Sequence, residues 1–119
     1  MELNQLKALV EDALAEMKAQ DVKSIDVQGV TSITDVIYVA TGTSTRHVKS
    51  VADRIVERAK DAGVMPLGTE GEQSMEWILV DLNDIVVHVM LQQTRDFYNL
   101  EKLWETRTDN QAPRLTAQG

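Results

Sequence analysis

Leu3, Leu6, Val10, Ala13, Leu14 and Met17 recur at helical spacing, with Glu11, Asp12, Glu16 and Lys18 between them. That pattern predicts an amphipathic first helix. Residues 24–27 form a short β-favouring patch and predict a strand. Val36-Ile37-Tyr38-Val39-Ala40 is a nearly continuous β-favouring run, as expected of a strand buried on both faces. The run ends at Thr41-Gly42-Thr43-Ser44. Val48, Val51, Ala52, Ile55 and Ala59 then mark one face of a second helix. Gly63 stops it and Pro66 lies shortly beyond. Residues 67–72 are a polar, glycine-containing stretch with room for only a short strand.

The sequence MEWILVDLNDIVVHVML holds two apolar runs joined by Asn83-Asp84, and predicts a hairpin. With Asn83 and Asp84 as the central turn residues, Leu82 pairs with Ile85. One face then carries Ile78, Val80, Leu82, Ile85, Val87 and Val89, is wholly aliphatic, and belongs under helices. The other carries Met75, Trp77, Leu79, Asp81, Val86, His88 and Met90. This mixed face is either a second covered layer with His88 hydrogen-bonded inside, or a partly exposed surface that receives a partner. Trp and Met are enriched at such contacts.

Three of the five aromatic residues fall within RDFYNLEKLW, residues 95–104, which predicts the last helix. Phe97, Leu100 and Trp104 share one helical stripe and are expected in the core. Tyr98 falls on another side, beside Glu101, Lys102 and Glu105, where it suits contact with a basic surface. Residues 107–119 are polar, aperiodic and contain Pro113, as expected of a disordered tail. The organisation is one α/β domain over 1–106 followed by that tail. Its order is α-β-β-α-β-β-β-α, a mixed β-sheet of about five strands with packed helices.

Composition narrows the partners. The 119 residues suffice for one domain with a modest core. A net charge of −7 argues against nonspecific nucleic-acid binding and suits a basic protein partner. The chain has no Cys, which excludes disulfides and Cys-ligated metal sites. The first residues lack a basic segment followed by an apolar run, so no signal peptide is expected. No apolar run reaches a membrane span, and a cytoplasmic protein is expected.

Candidate chemistry is thin. Residues 41–44 join a buried strand to a helix, where backbone N–H groups can hold an anion. Capping by Ser44 or Thr43 is the simpler role. The glycine spacing of a dinucleotide loop and the Gly-Lys-Ser/Thr of a P-loop are both missing. His47 is expected at the surface. Ser44, His47 and Asp35 or Asp81 have no spacing that selects a triad. Asp81 and Asp84 flank a turn instead of alternating along one strand face, which fits the turn better than Mg²⁺ binding.

SIDVQGVTSITDVIYVATGTSTRHVKSVAD, PLGTEGEQSMEWILVDLNDIVVHVM and RDFYNLEKLW, in this order, resemble the ribosomal silencing factor (Iojap-like) family. The resemblance covers most of residues 24–104. It implies a nucleotidyltransferase-like α/β fold, usually homodimeric. It also implies binding to a large-subunit ribosomal protein at the subunit-joining face. The factor would thereby block association with the small subunit and repress translation when nutrients are scarce. The candidate partner-binding residues are Trp77, Asp81, His88, Tyr98 and Glu101. No catalytic, cofactor-binding or metal-binding residue is expected, nor any membrane or sequence-specific nucleic-acid contact. The alternative is a nucleotide-binding enzyme related to nucleotidyltransferases. That family's Gly-Ser loop is altered here, with Thr43 between Gly42 and Ser44, and no Asp-x-Asp pair follows.

Overall fold

The computed structural model describes residues 1–100 and Lys102. The expectations for Glu101, Trp104 and Glu105, and for the boundary at 106 and the tail at 107–119, lie outside the described residues.

The chain runs α1 (Leu3–Glu16), β1 (Gln20–Asp26), β2 (Val36–Gly42), α2 (Thr45–Asp61), β3 (Gly68–Glu70), β4 (Trp77–Asp81), β5 (Ile85–Leu91) and α3 (Gln92–Tyr98). The five strands form one sheet in the order β1-β2-β5-β4-β3. Only the central pair, β2 and β5, is parallel; the other neighbours are antiparallel. This is the mixed α/β architecture and element order that the sequence predicts. β1 is longer than the four residues expected. It begins at Gln20 and passes through an irregularity between Gln20 and Lys23, where Asp21 takes a φ of 48°.

The hydrophobic pattern decides which face each element buries. Leu6, Val10, Ala13 and Leu14 of α1 pack with Val48, Val51, Ala52, Ile55 and Ala59 of α2 over one sheet face. That face is built from Val36, Tyr38, Ala40, Ile78, Val80, Leu82, Ile85, Val87 and Val89. The aliphatic side of the hairpin therefore lies under helices, as its composition requires. All seven residues of β2 are buried. Tyr38 is fully buried, and its hydroxyl donates to Glu11 Oε2 of α1 at 2.5 Å. Burial first, and that bond second, push the phenol pKa up.

The hairpin takes the predicted register. Leu82 N–H donates to Ile85 C=O at 2.8 Å, and Trp77, Leu79 and Asp81 stand opposite Met90, His88 and Val86. Asn83 holds a φ of 77°, which Asn tolerates better than most residues. Met75 departs from expectation. Its φ is 60° and its side chain packs against the helix-side cluster, so it does not belong to the mixed face.

The opposite sheet face holds a smaller cluster of Val27, Ile37, Val39 and Met90, with Ile25, Val30, Trp77 and Leu100 packed against it. Leu100 is thus structural, as predicted. Phe97 is not: it is 78% exposed. The reason is a change of helical phase. α3 starts three residues earlier than RDFYNLEKLW and ends at Asn99, which adopts left-handed φ 49° and ψ 47°. A helix broken there cannot hold Phe97 and Leu100 on one continuous stripe. Its buried residues are Thr94 and Arg95.

Candidate functional site

The mixed face resolves into two halves. On central β5, Val86, His88 and Met90 are buried; on β4, Trp77, Leu79 and Asp81 are half-buried. Trp77 is the hinge between them. Its indole Nε1–H donates to His88 Nδ1 at 2.9 Å. His88 is 9% exposed, so it supports Trp77 from beneath. An Nδ1 that accepts leaves the proton on Nε2, and fixes a neutral tautomer.

On the outer side of Trp77 stands Tyr98, with ring centroids 4.9 Å apart. Phe97 meets Tyr98 edge-on, also at 4.9 Å. Trp77, Tyr98 and Phe97 therefore form a continuous aromatic surface, with Tyr98 54% exposed and Phe97 78% exposed. Tyr98, expected beside Glu101, Lys102 and Glu105, lies against Trp77. Phe97 is the member that the sequence pattern misplaced. The signal was present in Asn99, a residue that readily caps a helix in the left-handed conformation.

α3 is held in place by Arg95. Its Nη1 donates to Asp21 C=O at 2.7 Å and to Thr41 Oγ1 at 2.8 Å. Arg95 is 7% exposed and lies beside an open polar depression of about 520 Å³ lined by Asp21, Lys23, Gln92, Asp96 and Asn99. Nothing in the sequence pattern singles it out, because a charged residue in a short helix ordinarily faces solvent. Asp81 is in part committed to the turn: its Oδ1 accepts from Asn83 N–H at 2.8 Å.

At the junction 41–47 side chains take up the amides of Thr43 and His47. Ser44 caps α2, its Oγ accepting from His47 N–H at 3.0 Å. His47 was expected at the surface but is half-buried, with both ring nitrogens engaged. Its Nδ1 accepts from Thr43 N–H at 2.9 Å, and its Nε2 lies 2.7 Å from Met17 C=O at the end of α1. The imidazole thus clamps α1 to the start of α2, and takes up an amide that an anion would need. Gly42 is explained by packing, since a Cβ there would stand 2.7 Å from Val48 Cγ2. No group of three or more His, Asp or Glu among the described residues could hold a metal ion. No described helix is long and apolar enough to cross a membrane.

His88 gives this site a pH signature. Burial lowers its pKa from 6.5 to about 4. Below pH 6.5 the unfolded chain takes a proton that the folded chain refuses. Stability is therefore complete above about pH 6.5 and falls as the pH drops towards 4, by up to about 3 kcal/mol in all. Thermal melts at pH 4.5–7 should show a steeper acid loss for the parent than for His88→Gln. Parallel curves would mean that His88 is protonated without unfolding.

Fold and site together define a small mixed α/β protein whose most developed surface is aromatic, not a set of converging reactive groups. The family described as "Ribosomal silencing factor during starvation" matches residues 1–118, and the chain belongs to that family. It is 43% identical over 104 residues to the ribosomal silencing factor RsfS of Chromobacterium violaceum, covering 87% of this chain and 85% of that one. A crystal structure of a protein from the same organism superposes with a TM-score of 0.86 at 43% identity, covering 88% of each chain. A more distant relative, the mouse "Mitochondrial assembly of ribosomal large subunit protein 1", is 33% identical, covering 88% of this chain and 48% of that protein.

Proposed function

We propose that this protein binds the large ribosomal subunit through a basic protein at the subunit-joining face. Bound there, it sterically blocks association with the small subunit and represses translation under nutrient limitation. The observation that carries this reading is the aromatic surface of Trp77, Tyr98 and Phe97. Exposed, contiguous aromatic groups around a partly buried Trp have the anatomy of an interface core. A net charge of −7 suits a basic partner. Family membership supports ribosome silencing, and the mouse relative's name supports a link to the large subunit. Asp81 and Glu101 would supply acidic contacts, and His88 would act by holding Trp77.

The same reading makes the protein a cytoplasmic, non-enzymatic factor acting by occlusion, with binding confined to residues 1–106. Consumption of the junction's Thr43 amide by His47 supports the absence of a nucleotide site there. The homodimer implied by the family resemblance belongs to the proposal, and sedimentation equilibrium tests it.

Tyr98→Ala should leave the melting temperature nearly unchanged and weaken large-subunit binding by about 1–2 kcal/mol. Phe97→Ala should also leave stability intact, because its ring is largely in water. Binding of the parent should weaken as salt rises. Sedimentation of each variant with large subunits, and light scattering during subunit joining, measure these effects. A Tyr98→Ala variant that still binds and blocks joining like the parent would remove the aromatic surface from the mechanism.

A further inference from the structure

Beside the aromatic surface lies a hollow of about 260 Å³ lined by Glu70, Gly71, Trp77 and Leu79. We propose that it is a receptor for one arginine side chain of the partner. The inference rests on the reading above, that this face docks a basic protein.

The hollow exists because of its construction. Glu70 lies on edge strand β3 directly opposite Leu79 on β4. Gly71 follows with a φ of +90° and, lacking a Cβ, lies close against the Trp77 main chain, so the backbone there forms the floor of the hollow with no side chain of its own. One wall is aromatic, and the hydrogen bond to His88 fixes its orientation. The rim is anionic. The neighbouring carboxylate of Glu72 is engaged by Thr69 and lies 3.6 Å from Lys49. Glu70 makes no such bond among the described residues.

An aromatic wall beside a free carboxylate is complementary to a cation. A guanidinium fits better than an ammonium. It is planar, weakly hydrated, stacks on an indole, and pairs with a carboxylate through two N–H groups at once. A nucleic-acid phosphate would be repelled by Glu70. Leu79 completes an apolar bed for the arginine stem.

The test uses the ¹⁵N-labelled full chain and three short peptides, acetyl-Gly-Arg-Gly-amide and its lysine and citrulline counterparts. The arginine peptide should shift the Trp77 indole N–H and the Glu70 and Gly71 amides. The lysine peptide should do so several-fold more weakly and the citrulline peptide not at all. Glu70→Gln should abolish the shifts and weaken large-subunit binding about tenfold, with Glu70→Lys weaker still. If the parent binds subunits and both Glu70 variants bind equally well, the arginine receptor is overturned while the docking reading stands. If arginine peptide shifts these signals but the parent fails to bind subunits, the receptor stands and the ribosomal reading falls. Shifts produced by an oligoribonucleotide and not by the arginine peptide would also overturn it.

Discussion

Arg95→Met should lower the stability of the fold by about 3 kcal/mol, although it alters one side chain in a seven-residue helix. The guanidinium makes at least two short bonds, to Asp21 C=O and to Thr41 Oγ1. A hydrogen bond to a charged group contributes about 1.5–3 kcal/mol, and Thr41, 3% exposed, would be left without this donor. Methionine recovers part of the loss by burying an apolar stem of similar length. Thr41→Val, which removes only one acceptor, should cost about 1 kcal/mol. The bonds join α3 to β1 and β2 at once, so large-subunit binding should fall further than stability alone explains. Tyr98 would then no longer be held against Trp77. Urea unfolding compares the variants, and an Arg95→Met midpoint within error of the parent would show that α3 is anchored otherwise.

The fold was legible wherever a pattern was local and repetitive. The α2 stripe predicted its five buried residues one for one, since helical spacing and burial coincide when a long helix lies flat on a sheet. The hairpin register followed from two turn residues, and the face that it exposes to α1 and α2 followed from strand alternation. Failure came where one residue resets the phase. At Asn99 the left-handed backbone separates Phe97 from Leu100, and periodicity carried across that break put an exposed ring in the core. Met75 failed for the same reason, its positive φ turning it out of the β4 alternation.

Of the site, Trp77 and Tyr98 were visible as aromatic residues that the core pattern did not need. His88 was visible as a residue of the mixed face, either a partner contact or hydrogen-bonded inside, and the structure shows it buried and bonded to Trp77. Its relation to Trp77 required the register of the hairpin, in which Leu79 stands opposite His88 and Trp77 opposite Met90. Arg95 and the His47 clamp were illegible. Each joins elements far apart in sequence, Arg95 to Asp21 and Thr41, His47 to Met17. No local spacing encodes such contacts, and only the tertiary fold brings them within bonding distance.

Gly71→Ala should be more damaging than substitution of any other loop glycine among the described residues, and Gly63→Ala shows why. Both glycines hold a left-handed φ, +90° at Gly71 and +85° at Gly63. An alanine pays the same backbone penalty at each, about 1 kcal/mol. Their surroundings differ. At Gly63 a Cβ meets nothing within 4 Å, whereas at Gly71 it would lie 2.0 Å from Trp77 C=O and 3.1 Å from that carbonyl carbon. Those atoms are backbone at the start of β4, so relief requires the β3–β4 connection to move. The total should be about 3 kcal/mol or more, against about 1 kcal/mol for Gly63→Ala. Movement there also displaces Glu70 and the Trp77 main chain, so the Trp77 indole N–H resonance should shift in Gly71→Ala and stay in place in Gly63→Ala. Large-subunit binding should follow the resonance, falling only in Gly71→Ala. Equal losses of stability in the two variants would mean that backbone conformation alone governs both sites, and that the close approach of Gly71 to Trp77 has no energetic consequence.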